Sequence, residues 1–181
     1  MTAITQEQQQ LLFAMQDCRM DAMVGLLRQQ FESPEIYAAM SFETRMADLI
    51  ASFRDEQQRR RCETLLRQAK LKMKLELREI VTSAARGFKD ELRAELASLR
   101  WTTSGNIHNI ICIGGTGMGK TALLCALGRQ CCRQGISVWY TKYATLAEAL
   151  SESAATRQTT RRHAARCGVL IIDDAGVGFF H

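Results

Sequence analysis

The stretch Gly114–Thr121, GGTGMGKT, constrains this chain more than any other. It fits G-x-x-x-x-G-K-[ST], with Gly114, Gly119, Lys120 and Thr121 at the fixed places and Gly115, Thr116, Gly117 and Met118 between them. A run so rich in glycine can turn its backbone amides inward around a concentrated negative charge, a bend that Cβ atoms would block. A nucleoside triphosphate has that charge. Lys120 would set its ammonium against the β and γ phosphates, Thr121 would offer a hydroxyl to Mg2+, and the helix that follows would point its positive end at the same oxygens. The context agrees: the apolar run 109–113 predicts a buried strand before the loop, and residues 121–127 predict a helix after it.

The second half of such a site lies further along. Val169-Leu170-Ile171-Ile172 predicts a buried strand that ends in Asp173-Asp174, the arrangement of a Walker B element. Asp173 would hold Mg2+ through water. Asp174 would polarise the attacking water, as a general base or as an orienting group.

Composition excludes several classes. The chain has 181 residues with 46% apolar content and a single proline, enough for one domain of usual size plus a smaller one. Its net charge of +5 favours acidic partners. Seven cysteines cannot all pair among themselves, and no spacing resembles a zinc site. They read as reduced core residues in a reducing compartment. No apolar run is long enough to span a bilayer, and the glutamine-rich N-terminus is not a signal peptide. The expectation is a cytoplasmic protein without a membrane partner.

Residues 1–81 read as a helical N-terminal region, and 82–181 as the phosphate-loop domain, with the boundary near Thr82. Thr5 is a candidate cap for a helix carrying Leu11, Leu12 and Met15. Met20, Met23, Val24 and Leu27 recur at helical spacing. Ser33-Pro34 predicts a cap and a first helical position. Ser41 predicts the start of a long helix with Met46, Leu49, Ile50 and Phe53 on its apolar side, extended by Leu65, Leu66 and Ala69.

The most basic part of the chain follows. Between Arg54 and Arg78 nine Lys and Arg stand against Asp55, Glu56, Glu63 and Glu76, a local charge of +5. Arg59, Arg60, Arg61, Arg67, Lys70, Lys72 and Lys74 are candidates for neutralising DNA phosphates without reading sequence. A solvated helix face fits the same charge. After Gly87 a helix is expected with Phe88, Leu92, Leu96 and Leu99 on one side, then a polar turn over 102–105.

From Asn106 onward strand and helix patterns alternate, which predicts a parallel sheet. Gly135 is expected to close the phosphate-loop helix. Residues 136–141 predict a second strand, and Thr145-Leu146-Ala147-Glu148 a capping box. Arg157, Arg161, Arg162 and Arg166 form a positive stripe that suits DNA, a neighbouring subunit's nucleotide or plain solvent.

Taken together, these stretches resemble the IstB-like ATPases, AAA+ transposition helpers related to the DnaC helicase loaders. The likeness is carried by Leu96–Trp101, the phosphate loop, Cys125–Gly128, Cys132–Gly135, Tyr140-Thr141 and Leu170–Asp174. In the N-terminal part it is carried by Leu26-Leu27 and Ser41-Phe42-Glu43. The resemblance implies an α/β P-loop NTPase of the AAA+ type preceded by an all-α region. It implies ATP and Mg2+ as cofactors, assembly into oligomers on double-stranded DNA, and an IstA-like transposase as partner. It places the nucleotide on Gly114–Thr121, with Lys120 and Asp174 as catalytic groups and Thr121 and Asp173 at the metal. Asp174 falls where many AAA+ proteins carry glutamate.

The resemblance also implies a further strand between the phosphate-loop strand and the Walker B strand, and this sequence stops at His181 before any such segment. The expectation is a sheet incomplete at its C-terminal side, in a shortened chain with reduced turnover. Two rivals remain at this level. One is a helicase loader of the DnaC type; the other is a non-catalytic nucleotide-binding protein that acts through its N-terminal helices.

Overall fold

Thr5 opens the first helix, α1 (Gln6–Asp17), through a capping box. Its Oγ1 accepts from the Gln8 amide at 3.3 Å, and Gln8 Oε1 accepts from the Thr5 amide at 2.9 Å. α2 (Asp21–Glu32) packs against α1, and Leu12 and Val24 are buried. Pro34 begins the short α3 (Pro34–Tyr37). Ser33 precedes it without a side-chain cap, contrary to the sequence expectation, because its φ of −131° and ψ of 59° lie outside the usual capping conformation. The long helix α4 (Phe42–Ala69) does start as expected, with Ser41 Oγ accepting from the Thr44 amide at 3.2 Å. Leu49 is buried on it, whereas Leu11 of α1 and Ile50 of α4 are exposed. Each helix buries a narrower seam than the full apolar stripe.

The computed structural model describes residues 3–83, 87–103 and 109–175. They fall into two units, Met1–Arg61 and Cys62–His181. The division between these units lies inside α4. Its cause is the end of that helix, where Leu65, Leu66 and Ala69 pack with Leu99, Cys131, Cys132, Val138 and Ile171.

In the second unit α5 (Asp90–Ala97) leads to the central helix, α6 (Lys120–Arg133). One side of α6 packs through Leu124, Cys131 and Cys132 on Ala69, Leu99, Val138 and Ile171. The other packs through Leu123, Ala126 and Leu127 on Leu77, Phe88 and Leu96. Burial pushes the Cys131 thiol up to about 12 and that of Cys132 up to about 11, so both remain protonated, apolar fillers. At the end of α6, Gly135 takes a φ of 77°. The Ile136 amide donates to Cys131 O and the Gly135 amide to Cys132 O, each at 3.0 Å, a Schellman closure.

β1 (Val138–Lys142) follows, two residues later than the apolar run predicts, because the Ile136 amide is engaged in that closure. It runs directly into α7 (Tyr143–Ser151). Lys142 is therefore the N-cap, and the expected capping box at Thr145 does not form because that residue lies inside the first turn. α8 (Ala154–Arg166) carries the arginine stripe and returns the chain to β2 (Val169–Asp173). β1 and β2 are parallel, in register from Val138 opposite Val169 to Lys142 opposite Asp173.

The predicted strand at 109–113 is not formed. Ile111 is 80% exposed and Ile113 is 93% exposed. The sheet of the described residues consists of β1 and β2, and this run pairs with neither; a strand without a partner would leave its own amides and carbonyls unpaired. Of the expected polar turn over 102–105, residues 104 and 105 lie outside the described residues, as does the segment after Ala175. Among the described residues no helix is long and apolar enough to cross a membrane.

Candidate nucleotide site

Two chain directions bring the site together. α6 begins at the glycine loop, and β1 and β2 both end on the side where that helix starts, as the hydrogen bond between Thr121 and Asp173 shows. Parallel strands present their C-terminal residues at one edge, the usual place for ligands in open α/β sheets.

Gly117 and Gly119 hold φ values of 80° and 87°, in the left-handed region that glycine enters without a Cβ penalty. Gly119 is the N-cap of α6 and supplies no side chain to the helix's first amides, which are left for an incoming anion. Lys120 folds back over the loop. Its Nζ donates to Gly114 O at 2.7 Å and to Gly115 O at 2.8 Å. Thr116 and Met118 are exposed on the turn.

Asp173 is 4% exposed, yet its carboxylate is fully engaged. Thr121 Oγ1 donates within reach of both oxygens, at 3.1 Å from Oδ1 and 2.8 Å from Oδ2. Tyr140 Oη donates to Oδ2 at 2.7 Å, and the Asp174 amide to Oδ1 at 3.0 Å. Burial works to raise the carboxyl. The bonds from Tyr140, Thr121 and Asp174, with the charge of Lys72, outweigh it and hold Asp173 below the ordinary aspartate range. The Tyr140 phenol is shifted upward, by burial first and then by its bond to Asp173, so it stays a donor.

Asp174 turns elsewhere. It has a φ of 56°, and its Oδ2 lies 3.6 Å from Lys142 Nζ. The structure thus joins Thr121 to Asp173 and Lys120 to its own loop, while Asp174 pairs with the end of β1. Tyr140 and Lys142 are missed by the sequence reading as site residues. The usable signal is positional: Lys142 ends the parallel strand beside the one carrying Asp173, and Tyr140 stands two residues before it on that strand.

The basic candidates are exposed. Arg59 and Arg60 share Glu56, at 2.8 and 2.6 Å, and Arg60 also reaches Asp21 at 3.2 Å. Arg61 and Arg67 lie further along α4. Lys70 follows with a φ of 50°, and Lys72 and Lys74 occupy the segment after it.

These features define an α/β protein with a glycine-rich turn opening a helix beside a parallel strand pair that ends in a buried carboxylate. The chain belongs to the IstB-like ATP-binding protein family, whose sequence profile matches residues 14–181. That membership makes it a P-loop ATPase by class and confirms the resemblance read from its motifs. It is similar to a Pseudomonas fluorescens protein described as a putative ATP-binding protein of insertion sequence IS1162. Identity is 34% over 175 residues, covering 93% of this chain and 73% of that one. It is also 30% identical over 114 residues to a Sinorhizobium fredii (strain NBRC 101917 / NGR234) protein described as a putative insertion sequence ATP-binding protein, y4uH, covering 62% of this chain and 45% of that one.

Proposed function

We propose that this chain is an AAA+-type helper ATPase of an insertion sequence, which assembles with ATP on double-stranded DNA and stimulates a partner transposase of the IstA-like kind. The observation that carries the reading is the meeting of Thr121 and Asp173 at 2.8 Å beside the Lys120 loop. In this reading Gly114, Gly115, Thr116, Gly117, Met118 and Gly119 wrap the phosphates with backbone amides. Lys120 exchanges the Gly114 and Gly115 carbonyls for phosphate oxygens. Asp174 orients water once Lys142 yields it. Residues 82–181 act as the ATPase part and residues 1–81 as the DNA- and partner-binding part, with Arg59, Arg60, Arg61, Arg67, Lys70, Lys72 and Lys74 neutralising phosphates.

The donors suit Mg2+. A hydroxyl and a carboxylate held as an anion are hard oxygen ligands, and Thr121 can lend a lone pair to the ion while its own proton stays hydrogen-bonded to the Asp173 carboxylate. No group of three or more His, Cys, Asp or Glu converges to hold a metal among the described residues. That pattern fits an ion that arrives with the nucleotide's phosphates. Bound there, it would neutralise charge on the transferring phosphoryl group.

A second reading, a non-catalytic nucleotide-binding interaction protein, is favoured by the unformed strand at 109–113, which leaves the glycine loop without a sheet-borne anchor. ATP turnover with and without duplex DNA, beside Lys120→Ala, separates the two. The helper reading expects DNA-stimulated turnover that Lys120→Ala abolishes. Nucleotide binding with turnover no greater than that of the variant overturns it in favour of the second.

A further inference from the structure

We infer that Tyr140 is a positioning residue of the magnesium–nucleotide site, holding the Asp173 carboxylate in place through its phenol. The inference rests on the nucleotide-site reading above and adds a residue to it. Thr121 has one hydroxyl proton and lies near both Asp173 oxygens, at 3.1 and 2.8 Å, so it cannot fix the rotation of the carboxylate alone. The Asp174 amide takes Oδ1, and Tyr140 takes Oδ2 at 2.7 Å. Together they pin both ends of the group.

Tyr140 is well placed for this. It sits opposite Ile171 in the parallel ladder, two residues before Asp173. Its ring packs with the core around Val138 and Ile171, so the hydroxyl is presented from a rigid base. Partners of this kind, one step removed from a metal, orient its ligands, and losing one weakens metal binding about ten- to a hundredfold.

The test is Mg2+ titration of binding to a fluorescent ADP analogue, comparing the unaltered chain with Tyr140→Phe. Expected is an unchanged affinity without Mg2+, which Lys120 and the loop supply, and a Mg2+ half-saturation raised by about tenfold. In an Asp173→Asn background the same change should add nothing, which a merely structural phenol would not predict. Equal half-saturation in a chain whose binding Mg2+ does strengthen overturns the inference alone. Binding that Mg2+ does not strengthen in the unaltered chain overturns the site reading and the inference with it. Should Tyr140→Phe melt without a cooperative transition, the readout is the 13Cζ resonance of Tyr140 in the unaltered chain. A shift on adding Mg2+–ADP supports the role, and a resonance that moves equally with ADP alone overturns it.

Discussion

Thr121 Oγ1 lies 2.8 Å from Asp173 Oδ2, although 52 positions separate the two residues. The bond ties the first turn of α6 to the last residue of β2. Thr121→Val keeps the branched shape and removes the donor. A hydrogen bond to a charged group is worth about 1.5–3 kcal/mol, and Tyr140 remains to serve the carboxylate. The expected loss is therefore at the low end, about 1.5 kcal/mol, read as a lower urea midpoint at unchanged slope. An unaltered midpoint would mean that the bond adds nothing to the fold.

Close packing governs the turn into β2. A Cβ on Gly168 would stand 2.6 Å from Ile136 Cγ2 and 3.3 Å from the Ser137 carbonyl oxygen. Neither neighbour is the far end of a flexible side chain. Gly168→Ala is expected to destabilise the chain by about 1–3 kcal/mol, the usual cost of overpacking. Chemical denaturation measures it, and a variant as stable as the parent would show that the turn can open.

Glu56 restrains the basic face of α4. Hydrogen bonds from Arg59 and then Arg60 bring its carboxyl down to about 2. Its folded value is depressed, so the pairing is complete above the ordinary glutamate value of 4.5 and is lost as pH falls through about 2. Carboxyl 13C titration follows this directly. Glu56→Gln removes the carboxylate charge that Arg59 and Arg60 share, while Arg60 keeps its reach to Asp21, and the expected result is tighter binding to duplex DNA with a steeper salt dependence. Replacing Arg59, Arg60 and Arg61 by Gln should flatten that dependence, by about one in slope for each phosphate left without its cation. A slope unmoved by either change returns this run to a solvated face.

Much of the site was legible where chemistry dictates residue type. The glycines, Lys120, Thr121 and Asp173 are demanded by a triphosphate and a hard cation whatever the surroundings, so spacing alone picks them out. The helix starts at Thr5 and Ser41 were legible because a hydroxyl bond to a local amide depends on nearby residues only. What stayed hidden depends on partners far away in sequence. Asn109–Ile113 has the composition of a strand, but a ladder needs a neighbour, and composition cannot supply one. Tyr140 reads as an ordinary strand aromatic until the register brings it beside Asp173. Arg129 and Arg133, ordinary helix arginines by pattern, both bond to Glu76, which is more than fifty positions away.

The ladder between β1 and β2 has one more implication. Ile171 and Asp173 occupy the buried side of β2, while Ile172 between them faces outward. A slip of a single residue would carry Ile171 out to water and swing the carboxylate away from Thr121 and Tyr140 together. Misalignment is thereby penalised by the oily side chain, at a position that never meets the nucleotide. Selection for a well-packed interior would then preserve the aim of the carboxylate as a by-product, and wear in the core would show first as lost aim.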